Sequence, residues 1–283
     1  VGGSWQNPSS ETFENRSGTV IFDDNAKTNT ITGNTTFHNL TCATSGKAIT
    51  FTDGTTQTIE SGGLLTLTGL SNSLITLRGT STAGWNITDS GTESVSYVDV
   101  SYSTAATGIT AATSKDSGNN TRWTFSAATI TWDGSSSTAW NTAANWDLGY
   151  VPNTTDNVII ANEANDPVLG SATTTNNLTI NSGAILSLNG NNLTVSGTYA
   201  NDSGTLQLNG DETTVSLTND SDSGTTKFVK SSGTITIKDL TNYYNLEFDS
   251  NASGDGTATF TLPANIDVNN NVTMTDGTLD VSG

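Results

Sequence analysis

One histidine, His38, and one cysteine, Cys42, bound the nucleophilic chemistry open to this chain of 283 residues. Any Ser-His-Asp or Cys-His arrangement would have to run through His38. It lies in Thr36-Phe37-His38-Asn39-Leu40, where Tyr244 stands in Tyr243-Tyr244-Asn245-Leu246, and reads as a surface or corner residue. Carboxylates are more plentiful. Asp99, Asp202, Asp211 with Glu212, Asp220 with Asp222, and Asp249 are the candidates for paired acid–base work on a glycan. Such a site would also need cations over an acidic sugar, and only Lys227, Lys230 and Lys238 cluster. The spacing places no carboxylate pair on one face, so the expectation is a protein that is not an enzyme, with a β-helical polysaccharide lyase or hydrolase as the catalytic alternative.

Metal and ligand chemistry is also sparse. The Gly-Gly-x-Gly-x-Asp nonapeptide of Ca²⁺-binding β-rolls is absent, as is the EF-hand loop. No cofactor is expected. Adventitious Ca²⁺ could settle on Asn219-Asp220-Ser221-Asp222-Ser223-Gly224 or Asp23-Asp24-Asn25, which otherwise read as solvated acidic loops. Trp132, Trp140 and Trp146 crowd one short run and are the candidates for stacking a glycan. The competing reading, favoured here, is that they plug a module end, since each buries a large area. Twelve Asn-x-Ser/Thr sites, Asn34, Asn86, Asn153 and Asn271 among them, mark glycosylation only if the source modifies exported proteins.

The elements that would carry these residues are strands. Leu, Ile, Val and Phe make up 57 residues, and they fall in short alternating groups such as Thr234-Ile235-Thr236-Ile237. Helix formers are too dilute among Thr, Ser, Asn and Gly for three helical turns anywhere. Thr58–Gly69 matches Thr179–Gly190 without a gap at seven of twelve positions, and a third, degenerate copy spans Asn271–Gly283. A shorter unit recurs at Asn39-Leu40-Thr41-Cys42, Asn177-Leu178-Thr179-Ile180, Asn192-Leu193-Thr194-Val195 and Asn245-Leu246-Glu247-Phe248. In each, Asn is expected to turn a corner in left-handed backbone and the next strand to send its first and third side chains inward. Cys42 then fills a buried apolar slot.

Net charge is −18, from 27 acidic and 9 scattered basic residues, which argues against nucleic acid as a partner. No apolar run approaches the roughly 18 residues of a membrane-spanning helix, and no membrane insertion is expected. The run Gly91–Val100, followed by Asp116–Phe125, resembles the unit end of tandem repeats in very large bacterial surface proteins, and Trp132–Pro152 is similar to a module of such proteins. The whole is akin to the β-helical shafts of autotransporter and filamentous-haemagglutinin-type adhesins. That resemblance implies a parallel β-helix, export to the cell surface, and a shaft or adhesive role.

The expected fold is therefore all-β, a parallel β-solenoid in two stacked regions, 1–125 and 171–283, joined by a Trp-rich junction or cap at 126–170. Tandem β-sandwiches are the alternative. The expected function is a structural segment of an extracellular filament, stalk or surface layer, with a glycan-binding adhesin as the alternative. A solenoid needs caps, and the sequence suggests either continuation of the polypeptide or head-to-tail self-association, with surface glycans as further partners.

Overall fold

The computed structural model describes all residues except 9–12, 219, 239, 241, 251–255, 264–265 and 282–283. Two compact units are present, Val1–Ala128 and Thr129–Gly283. Both are built of short strands, with a single 3-10 turn at Ala143–Asn145 among the described residues. Every ladder between two strands is parallel. A β-sandwich is antiparallel, so the sandwich alternative is set aside, and the arrangement is compatible with a solenoid.

In the first unit, one sheet stacks Trp5–Gln6, Asn29–Thr32, Ala48–Phe51, Ile75–Gly79, Val98–Val100 and Lys115–Asp116 in that order. The other sheet is bent. Thr35–Cys42 pairs with Thr56–Thr68 twice, first as Phe37↔Ile59 and, after a register shift, as Asn39↔Leu64. Trp85–Asp89 covers the first half of Thr56–Thr68, and Thr92–Ser96 covers the second. Each coil thus presents three faces, and period-2 alternation sends one side-chain set inward. Inward rows run Ile49–Leu77–Val100 on one face and Cys42–Leu67–Val95 on another. All six of these side chains are buried.

The second unit repeats the scheme with a shorter coil. Leu186, Leu206, Thr226 and Leu246 stack 20 residues apart. Phe228, Phe248 and Phe260 form an aromatic column inside it, with neighbouring ring centroids 6.1 and 5.2 Å apart. The Trp-rich segment is integral to this unit: Thr129–Trp132 pairs with Asn157–Ile160, which pairs with Leu178–Ile180. The segment 126–170 is therefore not a separate junction, because its own strands extend the second unit's ladder.

The long repeat is a structural unit. Ile59, Leu65 and Leu67 are buried in the first copy, and Ile180, Leu186 and Leu188 occupy the equivalent slots in the second. Both copies turn at the same glycine, with φ of +83° at Gly62 and +80° at Gly183, where an L side chain would be strained. The third copy turns at Gly277 (φ +99°), though its last residues, Ser282 and Gly283, lie outside the described set.

Candidate functional site

The three tryptophans meet, but as a core. Trp132 ends the strand Thr129–Trp132, and Trp146 follows the 3-10 turn and bridges back to it. Trp146 stands edge-on to both neighbours, 5.0 Å from Trp132 and 4.7 Å from Trp140 between ring centroids. Its Nε1 donates to the Trp140 carbonyl at 2.9 Å, and Trp132 Nε1 donates to the Asn165 carbonyl at 2.7 Å. Exposure of the three is 0–1%. A sugar stacks on an open ring face, so the glycan-platform expectation for Trp132, Trp140 and Trp146 does not fit this geometry. Asn145, also buried, holds the loop above them: its Oδ1 accepts from the amides of Ser136 and Ser137, and its Nδ2 donates to the Ala139 carbonyl.

Asp202, Asp220 and Asp222 line one cavity, and the other candidate carboxylates are dispersed over different coils. Asp99 pairs with Arg78 at 2.7 Å and Lys115 at 3.7 Å, and accepts from the Ser117 hydroxyl. Asp249 and Glu247 both hold Lys227 at 2.9 Å. Burial disfavours the Lys227 charge, but its hydrogen bonds to Asp249 and Glu247 outweigh this and raise its pKa. Lys230 is bound to Asp211 at 2.5 Å. Two of the three lysines that cluster in the sequence, Lys227 and Lys230, are thus committed to acids of their own chain.

Glu212 is buried and works as a cap, accepting from the amides of Gly190, Asn209 and Gly210 across two successive corners. Asp220 and Asp222 are adjacent. Asp220 is partly desolvated, yet amide hydrogen bonds from Asn201 and Asp222 lower its pKa, while its hydrogen bond and charge push Asp222 up. The neighbouring Asn219 of this expected Ca²⁺ loop lies outside the described residues. Among the described residues no group of three or more His, Cys, Asp and Glu could hold a metal ion.

His38 sits at the register shift between two coils, with Nδ1 2.8 Å from Glu60 Oε1. Hydrogen bonds from Asn15 and then His38 lower the Glu60 pKa. Cys42 is a free thiol at zero exposure, in register with Leu67, and burial pushes its pKa up. A buried, protonated thiol is a small apolar residue rather than a nucleophile.

The recurring Asn residues do something other than turn. None of Asn39, Asn177, Asn192 and Asn245 has a positive φ; that role falls to residues such as Asn72, Asn189 and the paired corner tyrosines Tyr97 and Tyr102. Instead their amides bridge coils. Asn177 Nδ2 donates to Asn157 Oδ1 at 2.8 Å, and its Oδ1 accepts from the Thr198 amide at 2.7 Å. Asn39 binds the Thr19 hydroxyl on one side and the Leu64 amide on the other, whereas Asn192 turns both ends of its carboxamide to the following coil, at the Thr213 hydroxyl and the Thr214 amide. Asn245 donates to the Gly224 carbonyl and accepts from Asn270. The carboxamide supplies both a donor and an acceptor where the backbone ladder breaks at a corner.

The sequence missed two cations of similar effect. Lys47 is fully buried, with its ammonium bound to the carbonyls of Asp24 and Lys27 one coil away. Arg78 Nη1 binds the carbonyls of Leu77 and Asp99. Nothing in their flanking residues distinguishes them from surface cations.

A domain family of unknown function, DUF8693, matches residues 131–253, a stretch that begins within the second unit's first strand. No curated protein and no solved structure matches the chain.

Proposed function

We propose that this chain is a structural segment of an extracellular filament, stalk or surface layer, a β-solenoid whose task is reach and mechanical resistance. The observation that carries the reading is coil-to-coil bonding in parallel register, with side chains repairing the ladder where the backbone breaks. Leu178, Tyr199 and their partners pair by backbone, and Asn177 bridges the same coils beside them. A pull along the coil axis loads these bonds together with the inward apolar rows. Stacked strands add about 4.8 Å per coil, so length grows with the number of coils. The adhesin alternative loses its best residues with the burial of the tryptophans.

The resemblance to adhesin shafts supports export, and the acidic surface suits a long soluble fibre. Electron microscopy of the purified protein and of the source cell surface tests the proposal. Rods or fibres, with copies associating lengthwise through their coil edges, are expected. Short discrete particles and an unlabelled cell surface would sink it.

A further inference from the structure

The chain contains two Asn-Gly steps, Asn189-Gly190 and Asn209-Gly210. They occupy the same corner of successive coils in the second unit, each after a buried leucine, Leu188 or Leu208. Such a step is chemically weak. Once the glycine amide loses its proton, its nitrogen attacks the asparagine Cγ, closes a succinimide ring and expels the side-chain nitrogen as ammonia. Water then opens the ring to aspartate or isoaspartate, and isoaspartate lengthens the main chain by a methylene. Glycine permits this best, because no Cβ shields its nitrogen. The corners cannot exchange their glycines freely: φ is +77° at Gly190 and +79° at Gly210, and a Cβ added at Gly210 would lie 2.7 Å from Ile235 Cδ1.

One carboxylate faces both steps. Glu212 Oε1 accepts from the Gly190 amide at 3.1 Å and from the Asn209 amide at 2.8 Å, and its Oε2 accepts from the Gly210 amide at 2.8 Å. Glu212 is 1% exposed, so these bonds are shielded from water. Asn189 is exposed and Asn209 half-buried, so solvent reaches the side chains that would react.

We propose that these two corners are latent deamidation sites and that Glu212 holds them closed. The two nitrogens that would attack are the two glycine amides whose hydrogens the carboxylate accepts. Removing either proton would set an amide anion against a buried anion, a repulsion that the low dielectric of the interior strengthens. Each glycine peptide is also pinned by a charge-assisted hydrogen bond, which must break before its nitrogen turns onto Cγ. Opened corners would gain a carboxylate beside Glu212, and isoaspartate would displace Leu188 or Leu208 from the inward row. Glu212 would act in this way whether or not the chain builds a fibre.

Peptide mapping by mass spectrometry after incubation of the whole chain in mildly alkaline buffer tests this, with isoaspartate counted by enzymatic methylation. The folded parent is expected to keep Asn189 and Asn209 over a period in which the urea-unfolded chain loses both. Glu212→Ala is expected to convert both steps about tenfold faster than the parent, which corresponds to about 1.4 kcal/mol of barrier. Glu212→Gln offers one carbonyl oxygen, which the two donors to Oε1 claim. In that variant Asn209-Gly210 is expected to convert about tenfold faster and Asn189-Gly190 less so, a split that general loosening of the fold would not produce. Asp53-Gly54 in the first unit, whose glycine amide donates to the Gly84 carbonyl, is expected to isomerise at the parent's rate in both variants. Should alanine unfold the corner, the glutamine variant decides. Parental rates at both steps in the variants would overturn the proposal. Slower conversion would also overturn it, by making Glu212 the base that starts the reaction, as would conversion in the folded parent as fast as in the unfolded chain.

Discussion

Asp89 shows how much one side chain can weigh in a core this narrow. Its register places it in an inward row after Phe37 and Ile59, so the preceding coils offer it only hydrocarbon. Burial raises its pKa, against a smaller lowering from the Gly91 amide. Since the folded value lies above the unfolded one, the folded state holds the proton more tightly. The residue's contribution to stability is then complete below the ordinary aspartate range and is lost as pH rises through the raised folded value. Asp89→Asn keeps the shape and the acceptor for Gly91 but cannot ionise. It is expected to melt higher than the parent at pH 7 and to converge with it near pH 3. Calorimetry across that range decides the matter, and parallel curves for the two proteins would show that Asp89 carries no such linkage. Cys42 and the tryptophan trio belong to the same scale: their burial follows from slot and size, and their residue types alone would have suggested chemistry.

Among elements, the corner is the unit that sequence reading resolved only in part. The Asn-apolar-polar-apolar groups correctly gave strands with first and third residues inward, because period 2 against a one-sided core leaves no other choice. Their asparagines were harder, since a left-handed turn and a coil-bridging carboxamide use the same residue and the difference lies 20 residues away. Asn177 separates the two. Its carboxamide holds Asn157 and the Thr198 amide, so Asn177→Ala is expected to cost about 1 kcal/mol, the net worth of a typical hydrogen bond at a partly solvated site. Asn177→Gly should cost at least as much, because glycine loses the same bonds and adds backbone freedom. A neutral or stabilising glycine in urea denaturation would restore the left-handed reading. The Trp-rich segment was misplaced for a related reason: its Gly and Ser content hides the strand Thr129–Trp132, whose partners Asn157–Ile160 lie a full coil onward.

For the whole molecule, the balance lies between an excess of negative charge and a few specific pairs. The chain carries 27 acids against 9 bases. Four of the nine bases are paired: Arg78, Lys115, Lys227 and Lys230 each face a carboxylate of a neighbouring coil. Half-exposed pairs of this kind contribute about 0–1 kcal/mol each, and salt weakens them. The remaining acids repel one another along every coil, and that repulsion is screened once the Debye length falls to about 8 Å near physiological ionic strength. Because acids outnumber bases three to one, repulsion dominates and the melting temperature is expected to rise as salt increases from a few millimolar to physiological strength. Lengthwise association should strengthen in the same direction, and strengthen again as pH falls toward the pI of about 4.1, where coil edges meet with least net charge. Scanning calorimetry and light scattering over a salt series measure both. A melting temperature that falls with salt would mean that the ion pairs outweigh the surplus acids, and would make cross-coil charge pairing, rather than the asparagine bridges and the apolar rows, the main tie between coils.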